Sequence, residues 1–281
     1  MKMPENSRSL QYVIIGSIFL LIGCSDAREP RPSADTTKPK ADTTSAAPAH
    51  SYVPVGAQRL IAAYPDQDLR YEDNSILFPN GKRIAYDDGR EKDFIEKLDD
   101  CDIEDMFNMT YDKKASEPAY LNDCGRGRCE AFFKAMYGDS EAAVRQHLVS
   151  VDWFGQKIPF TSVNGAAAHL ANVAKEFQEH PELHKYLSNA SSFYWRKVRG
   201  ANRQSAHSYG IAIDINTSYS NYWLWANRGV NETDSIRYEN RIPLEIVQVF
   251  ERNGFIWGGR WYHYDTMHFE YRPEINRADK N

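Results

Sequence analysis

Two short segments in the last third of the chain carry the side chains best suited to chemistry. In the first, residues 205–216, His207 and Asp214 flank a run in which Ile alternates with Gly and Ala. This period of two predicts a strand with one apolar face and one open face of small residues. A His nitrogen and a carboxylate oxygen beside that open face are ligands that suit zinc.

The second segment, residues 257–270, supplies a third ligand. His268 and Glu270 alternate with Phe269, so they share one face of a predicted strand, and Asp265 precedes this strand. With His268 the chain offers two imidazoles and one carboxylate, which leaves the fourth zinc position open for water, as catalysis requires. Asp265 could serve as a general base on that water.

These motifs and their order along the chain resemble those of one peptidase family. The chain contains His-x-x-Gly-x-Ala-x-Asp, followed by Trp-Gly-Gly-x-Trp and Asp-x-x-His-Phe-Glu. This order resembles the zinc D-alanyl-D-alanine carboxypeptidases and L-alanyl-D-glutamate endopeptidases, a vancomycin-resistance-type family that shares its fold with lysostaphin-type endopeptidases and the hedgehog amino-terminal domain. The resemblance covers residues 190–273 closely and extends loosely back to about residue 100. It implies an α+β fold in which a small antiparallel sheet, packed by helices, carries one Zn²⁺ per chain.

The resemblance also implies the roles of the motif residues. His207, Asp214 and His268 are the expected zinc ligands. Asp265 stands where most members have Glu, so the expected base reaches one methylene less far. Glu270 has two interpretations, a residue that orients a ligand from behind or a simple surface residue of the strand.

Residues just before the first motif are expected to contact substrate. Members of the family use an Arg to polarise the scissile carbonyl or to hold a substrate carboxylate, and Arg203 is the predicted residue, with Arg196 and Arg199 as rivals. A planar guanidinium suits a carboxylate better than an ammonium group does. Ser205 matches the family's Ser before the His and is predicted to bind substrate. His263 is close enough in sequence to line the site.

The expected function is hydrolysis of peptidoglycan stem peptides, first as a D-alanyl-D-alanine carboxypeptidase. One alternative is an endopeptidase that cuts L-alanyl-D-glutamate bonds or cross-bridges. Another is a non-catalytic zinc- or peptidoglycan-binding lipoprotein, and a third is a structural lipoprotein in which the His and Asp residues are merely hydrogen-bonded. Nucleic acid is not an expected partner, because the net charge is −5 and no block of Lys and Arg occurs.

The N-terminus predicts export and a lipid anchor. A basic start and the apolar run 12–22, shorter than the roughly 20 residues of a membrane span, indicate a signal peptide over residues 1–23. The run ends in a sequence that resembles the lipobox of bacterial lipoproteins, so Cys24 is expected to be lipidated. The mature protein would face the periplasm or cell wall. Ser25, directly after the Cys, resembles the signal that sorts lipoproteins to the outer membrane in a Gram-negative host.

Composition then divides the chain. Residues 24–52 are rich in Pro, Ala, Thr, Asp and Lys, as expected of a disordered linker after the lipidated Cys. Residues 53–281 form the predicted peptidase domain, with a catalytic core over about 100–273. Export makes one disulfide plausible, and its pairing is open among Cys101, Cys124 and Cys129.

Periodicity and turn signals predict the elements that must position the site. A hairpin is expected around Pro79-Asn80-Gly81, and the order of helices before the site strands favours an α+β fold. The predicted helices are 92–98, 130–137, 142–149, 163–178 and one that Pro243 opens, and the predicted site strands are 210–215 and 268–271.

Overall fold

The computed structural model describes residues 52–276. The predicted signal peptide, Cys24 and nearly all of the predicted linker lie outside these residues. Within residues 52–276, no helix is long and apolar enough to cross a membrane.

The described chain is an α+β structure, as predicted. Its α-helices are α1 (Val55–Ala63), α2 (Phe94–Asp99), α3 (Glu130–Tyr137), α4 (Glu141–Arg145), α5 (Ala166–Glu176), α6 (His184–Leu187), α7 (Trp223–Ala226), α8 (Leu244–Arg252) and α9 (Pro273–Asn276). Its strands are β1 (Arg70–Glu72), β2 (Ser75–Leu77), β3 (Arg83–Ala85), β4 (Leu148–Trp153), β5 (Gln156–Thr161), β6 (Ala212–Asp214), β7 (Phe255–Trp257) and β8 (His268–Tyr271).

Three small antiparallel sheets organise these strands. The first is the meander β1-β2-β3, the second is the hairpin β4-β5, and the third has the order β6-β8-β7. The third sheet carries both site motifs, and its central strand β8 is the last of the three along the chain. The helices α5 and α8 pack together and cover β4 and β7.

The core forms where these helices meet the third sheet. Phe250 of α8 is fully buried and stacks on Phe269 of β8 with ring centroids 3.9 Å apart. Phe255 of β7 packs edge-on against the Phe250 ring, with ring centroids 5.4 Å apart. The apolar face of α8 therefore packs against β8, the strand that carries His268.

Most predicted elements agree with the structure. The hairpin around residues 79–81 is present as β2 and β3, and the helix predicted over 130–137 has the bounds of α3. The helix predicted over 163–178 is α-helical only over α5. Its beginning is a 3-10 turn, because Asn164 and Gly165 adopt left-handed φ angles of 56° and 68°.

The helix predicted over 142–149 is wrong in its second half. The helix α4 ends at Arg145, and residues 148–149 begin β4, which pairs along its whole length with β5. The two-residue turn between them has positive φ at Phe154 and Gly155, the backbone form that joins hairpin strands most tightly. Pairing with a later strand, which local spacing does not reveal, outweighs the helical pattern.

The predicted disulfide is absent from the described residues. Cys101, Cys124 and Cys129 are free thiols in the structure, so none of the possible disulfide pairings is formed. Burial raises the pKa of Cys124 to about 12 and the pKa of Cys129 to about 11. The thiolate is the reactive form, so these buried thiols are poor nucleophiles.

We predict that Phe250→Ala lowers the free energy of unfolding by about 3–5 kcal/mol, because it removes a fully buried ring from the α8–β8 contact. Urea unfolding followed by circular dichroism measures the change. Leu244→Ala, at a 56% exposed position of the same helix, is the control and should change stability by less than about 0.5 kcal/mol. A loss below about 1 kcal/mol for Phe250→Ala would contradict this account of the core.

Candidate zinc site

A tight turn places His207 in front of the strand that bears Asp214. The 3-10 turn Ala206–Tyr209 ends at Gly210, whose φ is 67°. A Cβ at this glycine would lie 2.6 Å from the Leu148 side chain. Glycine is therefore required there both by backbone conformation and by space.

The register of the third sheet brings the other two predicted ligands together. Asp214 of β6 lies directly opposite His268 of β8 in the antiparallel pair. Directly opposed residues project to the same face, so the carboxylate and the imidazole meet. The two motifs are distant in sequence, and the β6–β8 pairing makes them one site.

The three candidate ligand atoms form a compact triangle. The His207 Nε2 to His268 Nδ1 distance is 3.2 Å. Of the two carboxylate oxygens of Asp214, Oδ1 lies 2.8 Å from His268 Nδ1 and Oδ2 lies 3.3 Å from His207 Nε2. Ligand atoms of a tetrahedral zinc site lie about 3.3 Å apart, given bonds of about 2.0–2.1 Å. Two nitrogens and one carboxylate oxygen at this spacing fit one Zn²⁺ with a fourth position left for water.

Hydrogen bonds from behind fix both imidazole rings. His207 Nδ1 lies 2.8 Å from the carbonyl oxygen of Ser192, and His268 Nε2 lies 2.9 Å from Glu270 Oε1. Each ring therefore donates its proton away from the site and turns its other nitrogen toward the metal position. Of the two interpretations of Glu270, the structure supports the orienting residue, since the side chain is only 1% exposed.

Buried arginines hold Glu270 in turn. Arg128 donates to Glu270 Oε1 at 3.0 Å, and Arg272 donates to Glu270 Oε2 at 3.3 Å. Burial disfavours the charged carboxylate, but Arg128, His268 and Arg272 outweigh it and lower the pKa of Glu270 to about 2. No sequence pattern marks either arginine as part of the site.

The network continues to the first helix. Arg272 also pairs with Glu274, and Glu274 Oε2 accepts a 2.5 Å hydrogen bond from the Tyr64 hydroxyl, which follows α1. Residues before the predicted catalytic core thus support the segment that carries His268. Their contribution reaches the site through Glu274, Arg272 and Glu270.

The electrostatics of the site favour a cation. Burial disfavours the imidazolium form of His268, but hydrogen bonds to Asp214 and Glu270 outweigh it and raise the pKa of His268 to about 10. The pKa of Asp214 is lowered despite its burial, because His207 and His268 face it. The buried carboxylates therefore stabilise positive charge at this point, as a divalent metal site requires.

Asp265 lies beside the three candidate ligands, and one of its carboxylate oxygens forms no hydrogen bond within residues 52–276. Its Oδ1 is buried and has no hydrogen-bond partner within residues 52–276. Burial, and then repulsion from the Asp214 carboxylate, raise the pKa of Asp265 to about 7. Its backbone N–H donates to Gly258 O at 3.0 Å, and a Cβ at Gly258 would lie 2.5 Å from Asp265 O. The Trp-Gly-Gly motif is thus needed for this close approach.

A cavity of about 430 Å³ opens onto these groups. It contains every predicted site residue, and its remaining wall is rich in Arg and Trp. The predicted residues in its lining are Arg196, Arg199, Arg203, Ser205, His207, Asp214, His263, Asp265, His268 and Glu270.

The arginines of this cavity fall into two groups. Arg126, Arg128 and Arg203 each pair with a carboxylate, and the Arg203 side chain, which contacts Asp99, is only 10% exposed. Arg196 and Arg199 are exposed, and among the described residues neither forms an ion pair. The cavity therefore has neutralised cations in its wall and unpaired cations at its rim.

Together these features define a candidate metallohydrolase: an α+β domain whose cavity joins a zinc-type ligand set to a buried carboxylate, one oxygen of which has no hydrogen-bond partner within residues 52–276.

One protein-family model matches the part of the chain that carries the site. Residues 199–271 match the model of a peptidase M15 family described as D-alanyl-D-alanine carboxypeptidase. Peptidases of this family are zinc-dependent, and the matched region contains the three candidate ligands and Asp265. This region is therefore similar to peptidase domains of the D-alanyl-D-alanine carboxypeptidase type. Searches of curated proteins and of solved structures returned no match.

We predict that Glu270→Gln weakens zinc affinity by about 10–100-fold, because the carboxylate that orients His268 is lost. Competition with a chromogenic chelator measures the affinity. Glu274→Gln is a matched control, since Glu274 is equally buried and also pairs with Arg272 but does not contact His268. It should reduce stability while zinc affinity stays within about threefold. Equal losses of affinity in both variants would show that the effect acts through the fold alone.

Proposed function

We propose that this protein is a zinc-dependent peptidase that hydrolyses peptidoglycan stem peptides, first as a D-alanyl-D-alanine carboxypeptidase. The observation that carries the proposal is the placement of Asp265 Oδ1, buried and without a partner in the described chain, beside the His207-Asp214-His268 triangle. The family match over residues 199–271 supports a peptide as the substrate.

His207, Asp214 and His268 would hold the zinc ion. When bound, the metal would acidify water and polarise the scissile carbonyl. Asp265 takes the proton from the attacking water and passes it to the leaving amine. A carboxyl group whose pKa is raised to about 7 suits both steps, because general acid–base catalysis is most efficient when the pKa lies near the working pH.

Two different arginines would act on the substrate. Arg203 has a buried Nε without a hydrogen-bond partner among the described residues, and its pairing with Asp99 leaves this N–H to donate to the scissile carbonyl oxygen. Arg199 is exposed at the rim and forms no ion pair with any residue of the described range 52–276. It is therefore the better candidate to bind a free C-terminal carboxylate, and Ser205, buried in the same wall, would bind the peptide backbone.

An endopeptidase is the second candidate. Trp225, 53% exposed, lies at the rim of the cavity with the two unpaired arginines. An exposed rim leaves room for peptide on both sides of the cut bond. A carboxypeptidase depends on a cation that recognises the free C-terminal carboxylate of its substrate, whereas an endopeptidase does not.

The proposed setting rests on the sequence. Lipidation of Cys24 after export would tether the domain to a membrane, and residues 25–52 would give it reach to the cell wall. Mass spectrometry of the membrane fraction, with a Cys24→Ser variant that should be released in soluble form, tests this anchor.

We predict that Asp265→Asn retains one zinc per chain but lowers kcat by about 10²–10⁴-fold, because the amide cannot accept the proton. Mass spectrometry of stem pentapeptides after incubation measures the product, which should lack one D-Ala. His207→Ala is the companion variant that should lose both zinc and activity. Full activity in Asp265→Asn would remove the base assignment, and cleavage elsewhere in the stem would establish the endopeptidase.

We predict that Arg199→Gln raises KM about tenfold for a pentapeptide with a free C-terminus and leaves KM unchanged for the same peptide as a C-terminal amide. The reason is the loss of a charge-assisted hydrogen bond to the carboxylate. Arg228→Gln, which removes an exposed arginine outside the cavity, is the charge-matched control. Equal effects on acid and amide would contradict carboxylate recognition by Arg199.

A further inference from the structure

A second group of polar side chains lies in the wall of the same cavity, apart from the zinc ligands. His263 is only 1% exposed and lines the cavity. Asp123, fully buried, and Glu232, half-buried, flank its two ring nitrogens. None of these groups has a part in the hydrolytic steps described above.

Asp123 fixes the orientation of the imidazole. Its Oδ2 lies 2.6 Å from His263 Nδ1, and its Oδ1 accepts a 2.9 Å hydrogen bond from the His263 backbone N–H. The carboxylate therefore holds the proton on Nδ1, in the way that a buried Asp selects the tautomer of a catalytic His. In the neutral ring, Nε2 is then a hydrogen-bond acceptor.

Aromatic side chains prevent the ring from turning. Trp223 packs edge-on against His263 at a centroid distance of 4.5 Å, and Tyr262 and Phe94 pack at 5.0 and 5.8 Å. Trp223 also lines the cavity. The direction of Nε2 is thus set by packing as well as by Asp123.

His263 Nε2 has no hydrogen-bond partner among the described residues. Glu232 Oε2 lies 3.6 Å away, beyond hydrogen-bond distance. Buried polar atoms in folded proteins are nearly always satisfied, so an unsatisfied one in a cavity wall needs a reason. A ligand that enters the cavity can supply the missing partner.

A second metal ion is not that ligand. Arg126 donates to Asp123, and it makes a two-pronged contact with Glu232 at 2.9 and 3.0 Å. The guanidinium already contacts both carboxylates that would have to bind the metal. The free acceptor on His263 is therefore suited to a hydrogen-bond donor.

We propose that His263 is a substrate-binding residue whose Nε2 accepts a hydrogen bond from an N–H group of the bound peptide. The inference rests on the proposed peptidase function and adds a specificity contact to it. Arg199 and Arg203 would engage oxygen atoms of the peptide, whereas His263, with the Glu232 carboxylate beside it, provides acceptors for its nitrogens. The cavity would thus bind both the oxygen and the N–H groups of the peptide, and these contacts would fix the direction in which the peptide chain binds.

The test measures binding separately from catalysis. The probe is a synthetic stem pentapeptide that ends in D-Ala–D-Ala, and calorimetry gives its Kd for the zinc-loaded Asp265→Asn protein with and without His263→Phe. Phe keeps an aromatic ring in the same packing but removes both ring nitrogens, and we expect the loss of the hydrogen bond from the peptide to Nε2 to raise Kd about tenfold. His263→Gln restores an acceptor at the same distance along the side chain and should stay within about threefold of the parent.

Kinetics with Asp265 intact distinguish binding from a structural role. His263→Phe should raise KM about tenfold with kcat nearly unchanged, which is the signature of lost uniform binding. Zinc content should stay at one per chain. His169→Phe, which replaces a histidine stacked on Tyr271 outside the cavity, is the matched control and should leave KM unchanged.

The outcomes separate the two proposals. An unchanged Kd and KM in His263→Phe, with an active parent enzyme, would overturn the role of His263 and leave the peptidase function intact. A fall in zinc content together with a fall in kcat would show that His263 only supports the fold, and would also overturn the inference. A parent protein that neither binds nor cuts any stem peptide would overturn the proposed function and the peptide contact with it.

Discussion

The antiparallel pairing of β6 with β8 is the constraint on which the rest of the structure depends. It sets Asp214 opposite His268 and Ala212 opposite Glu270, so ligand and supporting residue lie on one face. A shift of one residue in this register would turn the site face toward the core. The small residues of β6, the packing of α8 behind β8 and the glycines of the Trp-Gly-Gly motif all serve to hold this pairing and leave space in front of it.

Charge is buried behind the site in an alternating series. Glu270 lies between His268 on one side and Arg128 and Arg272 on the other, and Arg272 leads to Glu274 and Tyr64. Each ion is compensated, because an unpaired charge at this depth would cost several kcal/mol. The series gives residues near α1 a part in positioning a candidate zinc ligand, although they lie far outside the region that matches the peptidase family.

Features that depend on neighbouring residues could be predicted from the sequence, whereas most contacts between distant residues could not. Alternation around Ile213 predicted β6, and two motifs in order predicted the ligands, because both depend on neighbouring residues. The hairpin β4-β5 was missed, since residues 142–149 have helical spacing and only pairing with later residues selects the strand. Arg128 and Asp123 meet their site partners across 142 and 140 residues. No spacing rule encodes such contacts, and an isolated Arg or Asp has no signal that marks it as buried.

The contact between the first and last helices has a consequence for biosynthesis. Tyr64 and Glu274 are 210 residues apart, and β8, the central strand of its sheet, follows both of its neighbours. A nascent chain cannot close this sheet or bury its charges until almost the whole domain has left the ribosome. Partly synthesised chains therefore lack a complete candidate metal site, which forms only after β8 has been made.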